Sequence, residues 1–191
     1  MMNNLSVNIS PLAFDQFDEK WLGDYKPYAY QSRVYRIVQK ALTENETLCI
    51  FLVTPTGSGK TLGSYAYAIN TKTPVFGVYP TNELIRDQER ALKKWVDPAD
   101  DYRLLRIDSR RLDHWQDALD LSQHAQTFER LMRWEPTILT NPDILFYTFF
   151  GMYIGPSGIT QRLFELMGSY DQFVFDEFHL YNVKQMADVA Y

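Results

Sequence analysis

Apolar runs of five to seven residues alternate along the chain with longer stretches in which apolar residues recur every three or four positions. The runs 47–53 (TLCIFLV), 73–79 (TPVFGVY), 102–108 (YRLLRID), 136–140 (PTILT) and 171–177 (DQFVFDE) predict strands. Most are apolar along their length, as strands covered on both faces are. The stretches 60–70, 82–96, 110–134, 141–150 and 159–167 carry helical spacing, the one at 110–134 as a single long helix. Thr81 and Asn141 sit where N-caps belong, the latter ahead of Pro142. Strand–helix alternation of this kind predicts an α/β domain, three layers deep (α/β/α), with a mainly parallel sheet whose ligands bind at the carboxyl ends of the strands.

Composition narrows this picture. The chain has 191 residues, 46% of them hydrophobic, enough for one sizeable core. Its net charge of −5 excludes a domain coated in basic residues, so any nucleic-acid contact must be local. The basic cluster Arg103, Arg106, Arg110 and Arg111 is either such a contact or a solvated face. Cys49 is the one cysteine; it is expected in the core of the 47–53 strand, and its solitude fits a reducing, cytoplasmic setting. The amino-terminal twenty residues lack a signal-peptide pattern, and the aromatic stretch 144–154 is too short to span a bilayer, so no membrane partner is expected.

The segment TPTGSGKT, residues 54–61, lies between a strand and a helix. Such a bend points backbone N–H groups and the positive end of a helix dipole at one small volume, which favours a phosphate. Gly59, Lys60 and Thr61 fit the phosphate-loop pattern G-x-x-x-x-G-K-[ST], whereas Thr54 stands where its first glycine belongs. Gly57 and Gly59 let the backbone approach the phosphates, Lys60 neutralises β/γ charge, and the Thr61 hydroxyl can serve Mg²⁺. Hydrolysis also needs acids: Asp176 and Glu177 end the strand at 171–177, the first suited to hold Mg²⁺ and the second to orient and deprotonate a water. A glycine-rich turn and an ordinary solvated strand end are the bland alternatives.

Thr56-Gly57-Ser58-Gly59-Lys60-Thr61 and Asp176-Glu177-Phe178-His179 resemble motifs I and II of the superfamily 2 DExH helicases. The resemblance implies a RecA-like P-loop domain that uses ATP and Mg²⁺. By it, Gln31 reads adenine with Tyr25, Tyr28 or Tyr30 available to stack on the base. YPTNELIRDQ (79–88) is similar to motif Ia and LTNPDIL (139–145) to motif Ib, which implies that Pro80, Thr81, Asn82, Thr140 and Asn141 touch the backbone of a single-stranded DNA. His179 would couple the ATP site to a second domain, or else is simply exposed.

Within that superfamily, TPTGSGKT, VYPTNELIRDQ, TNPDILFY and DEFHLYN together resemble the helicase subunit of type I CRISPR interference systems, the I-D branch best. This implies a CRISPR surveillance complex and a separate nuclease subunit as partners. None of His114, His124 or His179 is followed by Asp, so no HD nuclease is expected within the chain. The chain is expected to be a first RecA-like domain over 1–191, with 1–24 as an extension, without the second RecA-like half and its arginine finger, and therefore weak in hydrolysis by itself. Other readings stay open: an RNA helicase, a restriction-type translocase, or a nucleotide-gated binding module without catalysis. His114 and His124 are expected to be structural. The run Phe146, Tyr147, Phe149, Phe150 and Tyr153 is expected to pack in the core, against the alternative of stacking bases.

Overall fold

The computed structural model describes residues 5–6, 24–96, 102–149 and 159–181. The chain divides into two compact units, Met1–Lys72 and Thr73–Tyr191.

In the first unit β1 (Leu5–Ser6) pairs in parallel with β2 (Ile50–Phe51), with α1 (Ala29–Glu44) ahead of β2 and α2 (Lys60–Thr71) behind it. The expectation of a strand covered on both faces over 47–53 is corrected. Among the described residues two of the run enter a ladder, Cys49 is exposed, and Phe51 and Val53 are 59% and 81% exposed. The helix α1 was not among the expected elements. Its tyrosines and β-branched residues have little intrinsic helix preference, yet the buried Tyr30, Val34 and Ala41 share one face at helical spacing. The Tyr28 N–H, orphaned at the helix start, donates to Gln31 Oε1 at 2.9 Å, and Asn45 ends the helix at φ 54°, a conformation asparagine tolerates.

Packing of α1 on α2 depends on Gly63. A Cβ there would stand 3.0 Å from Tyr30 Cε2, so the missing side chain is what lets the ring lie against the helix. One to two turns on, Tyr35 meets Tyr67 edge-on at 5.2 Å and its hydroxyl accepts from Asn70 Nδ2 at 2.8 Å.

The second unit is built on four parallel strands in the order β4-β5-β3-β6: β3 (Val75–Val78), β4 (Leu104–Arg106), β5 (Thr137–Thr140) and β6 (Gln172–Phe175). Between them run α3 (Asn82–Leu92), α4 (Ser109–Ala118), α5 (His124–Trp134), α6 (Pro142–Phe149) and α7 (Ile159–Met167), and a 3₁₀ turn, Phe178–Leu180, follows β6. The central strands β3 and β5 are buried at every position, as uninterrupted apolar runs in a parallel sheet should be. Phe76 on β3 meets the rings of Phe128 and Tyr170 edge-on at 6.3 and 5.4 Å, each ring contributing about 2 kcal/mol of burial. Phe146 packs against this core as expected, while Phe150 and Tyr153 lie outside the described residues.

The single helix expected over 110–134 is two helices. The chain turns after α4 with Asp120 at φ 51°, and Asp113 reaches across the break to His124 Nε2 at 2.8 Å, so that histidine is a structural tie. His114 lies edge-on to Trp115. Among the described residues no helix is long and apolar enough to cross a membrane.

Register decides what gathers at the carboxyl edge of this sheet. Val78 stands opposite both Thr140 and Phe175, and Arg106 opposite Leu139. Pro80-Thr81-Asn82, Asn141, Asp108 and Asp176-Glu177 therefore leave the sheet side by side.

Candidate nucleotide site and nucleic-acid edge

The phosphate loop belongs to the first unit. Lys60 is the first residue of α2, and Gly59 caps that helix at φ 82°. Gly57 also has positive φ, 77°, and a Cβ on it would meet nothing within 4 Å, so the loop faces open space at this point. Both conformations favour glycine. Ser58 is buried, with its Oγ 2.7 Å from the Pro55 carbonyl and 2.9 Å from Thr54 Oγ1. One hydroxyl has one proton, so Ser58 donates to Pro55 and accepts from Thr54. Ser58 thus closes the loop from inside, and what it can offer a phosphate is backbone. Thr54, in the place of the pattern's first glycine, is the other half of that closure. Thr56 and Gly57 are exposed, and Thr61 and Lys60 are half-buried on the first turn of α2.

Gln31 is fully buried. Its Oε1 accepts from the Tyr28 N–H at 2.9 Å and from the Tyr25 hydroxyl at 3.0 Å, and its Nε2 donates to the Gly59 carbonyl at 2.9 Å. The two donors at one end fix which end of the amide is oxygen. Tyr30, 1% exposed, donates its hydroxyl to the Ser58 carbonyl at 2.7 Å. It is not placed to stack on a base, and its ring lies parallel to that of Tyr28 at 6.2 Å. Burial pushes the Tyr25 and Tyr30 phenols up, against the lowering pull of their hydrogen bonds to Gln31 and Ser58, so both remain neutral donors. Gln31, Tyr25 and the loop residues expected to form one site are thus brought together.

These residues fit a triphosphate. The first N–H groups of α2, two positive-φ glycines and a lysine at the helix start form an anion-binding cradle.

The acids and the expected nucleic-acid contacts belong to the second unit. The Asp176 N–H extends the ladder to the Val78 carbonyl at 3.1 Å. Asp176 Oδ1 accepts the Glu177 N–H at 2.9 Å, and Gln88 Nε2 of α3 lies 3.5 Å from Oδ2, at the outer limit of a hydrogen bond. Glu177 takes φ 48°, which swings the chain out of the strand into the 3₁₀ turn. Its carboxylate is 3.3 Å from Nδ1 of the exposed His179. Tyr181 closes the turn by donating to the Val78 carbonyl at 2.9 Å. Burial, with the Asp176 charge adding to it, pushes the Tyr181 phenol well up. No sequence signal marks Gly63 or Tyr181 as part of these sites, and none gives Tyr30 or Gln88 the partner it takes, because each acts through a residue remote in the chain.

Two of the expected nucleic-acid contacts are helix caps. Thr81 Oγ1 accepts the Leu84 N–H at 3.3 Å and Asn141 Oδ1 accepts the Ile144 N–H at 2.8 Å. Asn141 Nδ2 donates to Asn82 Oδ1 at 2.9 Å, joining the two caps. Pro80 follows β3, and the buried Thr140 donates to the Ile107 carbonyl at 2.9 Å, so its side chain serves the sheet. Asp108 caps α4 at Arg111 N, 3.0 Å away. Three helix N-termini therefore open along this edge.

In the basic cluster, three arginines are committed to carboxylates. Arg106 pairs with Glu89 and Asp108 at 3.3 Å each, Arg111 with Glu89 at 3.6 Å, and Arg103 with Glu135 at 3.3 Å. Arg106 and Arg111 thus form a structural ion network with Glu89 and Asp108 at the α3–β4 junction, while Arg103 makes a separate, exposed pair.

Residues 29–191 match the DEAD/DEAH box helicase family. The chain belongs to that family. This helicase domain matches no curated protein, but its fold resembles that of the DUF1998 helicase MrfA in a crystal structure with DNA and AMPPNP. Identity is 20% and the TM-score 0.58, over 93% of this chain and 23% of MrfA. The helicase domain thus spans less than a quarter of the length of that protein.

Proposed function

We propose that this chain is the ATP-binding, first RecA-like half of an ATP-dependent translocase or helicase acting on single-stranded DNA. The observation that carries the reading is the loop ahead of α2, in which two positive-φ glycines and a lysine at the helix start form an anion cradle. Lys60 and the α2 N–H groups bind the phosphates, with Gln31 holding the loop at Gly59 and Tyr25 holding Gln31. Thr61 and Asp176 are the residues that would hold Mg²⁺. When bound, the metal would withdraw charge from the phosphoryl group under attack. Glu177 orients a water and takes its proton, and His179, with Nδ1 3.3 Å from the Glu177 carboxylate, passes the state of the site to a second RecA-like half. In this reading a second RecA-like half supplies an arginine finger, typically worth about 10³–10⁵ in turnover.

Pro80, Thr81, Asn82, Thr140 and Asn141 form the strand-binding edge in this reading, with three helix N-termini beside phosphates. The DNA bound to MrfA supports DNA over RNA. The finer proposal is a role in CRISPR interference, in the cytoplasm, beside a surveillance complex and a separate nuclease; it is supported by the spelling of the four motif segments. ATP hydrolysis by the protein with single-stranded DNA or RNA of equal length tests the reading. Stimulation by DNA that is lost in Lys60→Ala is expected. Stimulation by RNA alone would favour an RNA helicase, and ATP binding without hydrolysis under any condition would favour a nucleotide-gated module.

A further inference from the structure

The two carbonyls that immediately precede Lys60 are both held by side chains of α1. The Tyr30 hydroxyl donates to the Ser58 carbonyl at 2.7 Å and Gln31 Nε2 to the Gly59 carbonyl at 2.9 Å, each bond linking residues 28 apart in the chain. In a trans peptide the C=O of one residue and the N–H of the next point in opposite directions. Drawing the Ser58 oxygen toward Tyr30 therefore turns the Gly59 N–H away from α1. Drawing the Gly59 oxygen toward Gln31 does the same to the Lys60 N–H. The Gly59 carbonyl also accepts the first helical bond of α2, from the Gly63 N–H at 3.0 Å, so this plane is held from two sides.

We infer that Tyr30 is a positioning residue of the phosphate loop: with Gln31 it sets the two peptide planes that present the Gly59 and Lys60 N–H groups to a triphosphate, and it does not contact the base. Three further observations agree. The Tyr30 ring is seated by the absence of a side chain at Gly63, whose Cβ would lie 3.0 Å from Cε2. A Cβ at Gly59 would stand 2.7 Å from Gln31 Nε2, so the loop approaches the clamp as closely as glycine permits. Tyr30 is 1% exposed, which leaves its ring no face for a nucleobase. Gln31 Oε1 is already engaged by Tyr25 and Tyr28, so the amide reaches the loop through its Nε2 donation to Gly59.

The inference rests on the triphosphate site proposed above, and Tyr30→Phe tests it with two probes, Mg-ATP and inorganic tripolyphosphate, a triphosphate without base or sugar. The variant keeps the ring against Gly63 and removes one hydrogen bond. Both ligands are expected to bind about fivefold more weakly, as the loss of one typical net hydrogen bond implies. ATP hydrolysis by the protein should show a raised KM with kcat little changed. Gly63→Ala, which displaces the same ring, should weaken both ligands in the same direction while Tyr30→Phe retains its circular dichroism spectrum. Weakening of ATP with no change for tripolyphosphate would make Tyr30 a base or sugar contact and overturn the inference. Unchanged binding of both in Tyr30→Phe, with the wild type binding ATP, would overturn it and leave the proposed function standing. A wild-type protein that binds neither ligand would overturn both.

Discussion

Asn141 donates one amide hydrogen to the side-chain oxygen of Asn82 across 2.9 Å, while its own oxygen caps α6 by accepting the Ile144 N–H at 2.8 Å. One side chain thus stabilises a helix start and ties it to the start of α3 on the edge where a strand of DNA would run. The two duties can be separated. Asn141→Asp keeps the capping oxygen, so thermal stability should fall little, but it loses the donor and adds a negative charge, so single-stranded DNA binding should weaken. Asn141→Ala should lose about 1 kcal/mol of stability as well. Melting curves and fluorescence-anisotropy titrations with a labelled oligonucleotide read the two effects; equal DNA affinity in wild type and Asn141→Asp would count against the edge.

Gly59→Ala asks a left-handed residue, at φ 82°, to accept a Cβ that would sit 2.7 Å from Gln31 Nε2. The conformational cost alone is about 1–2 kcal/mol, and the contact can be relieved only by breaking the Gln31 bond to the loop. Nucleotide binding, measured by calorimetry, should be lost. Gly57→Ala has the same positive φ but open space, so it should retain the fold and weaken binding less.

Glu89 is buried among Lys93, Arg106 and Arg111, at 2.9, 3.3 and 3.6 Å. Removing Glu89 takes away a buried acid shared by three cations, of which Arg106 keeps Asp108 and the others reach solvent, so the cost is about 1.5–3 kcal/mol. Glu89→Ala should therefore unfold at much lower denaturant concentration. Arg103→Ala, at an exposed arginine paired with Glu135, should change the midpoint by less than about 1 kcal/mol equivalent. Similar midpoint shifts for the two would contradict the assignment of the basic cluster to structure.

Burial pushes the Tyr102 phenol up to about 12 in spite of a hydrogen bond from Thr137, and the Tyr170 phenol is raised further. A group whose folded pKa lies above its unfolded value contributes stability that is complete below the unfolded pKa and is lost as pH rises toward the folded one. Urea midpoints should accordingly hold steady to about pH 9 and fall between about pH 10 and 12. Tyr102→Phe should flatten part of that fall; a midpoint independent of pH across this window would show these phenols to be solvated.

Much of the second unit was legible because its signals are local. The strands Val75–Val78 and Thr137–Thr140 carry apolar residues on both faces and are buried throughout, and Thr81 and Asn141 announce helix starts through chemistry within three residues of themselves. The break at Asp120 was not legible, since Leu119 and Leu121 continue the apolar spacing through a turn that only backbone geometry reveals. Nor was the exposure of Cys49, since an apolar run does not by itself say what packs on its faces. In the candidate site, Gly57, Gly59 and Lys60 declared themselves by spacing. The clamp from Tyr30 and Gln31 could not, because it is made by side chains whose partners lie 28 residues away.

The proposed function stands or falls on whether Lys60 and Asp176 serve one bound Mg-ATP. The most direct test is equilibrium binding of ATP, with and without Mg²⁺, to the wild-type protein, Lys60→Ala and Asp176→Ala. The account predicts binding that Mg²⁺ strengthens in the wild type, a loss of about tenfold or more in Lys60→Ala, and binding in Asp176→Ala that Mg²⁺ no longer strengthens. Wild-type-like affinity and Mg²⁺ dependence in both variants would contradict it.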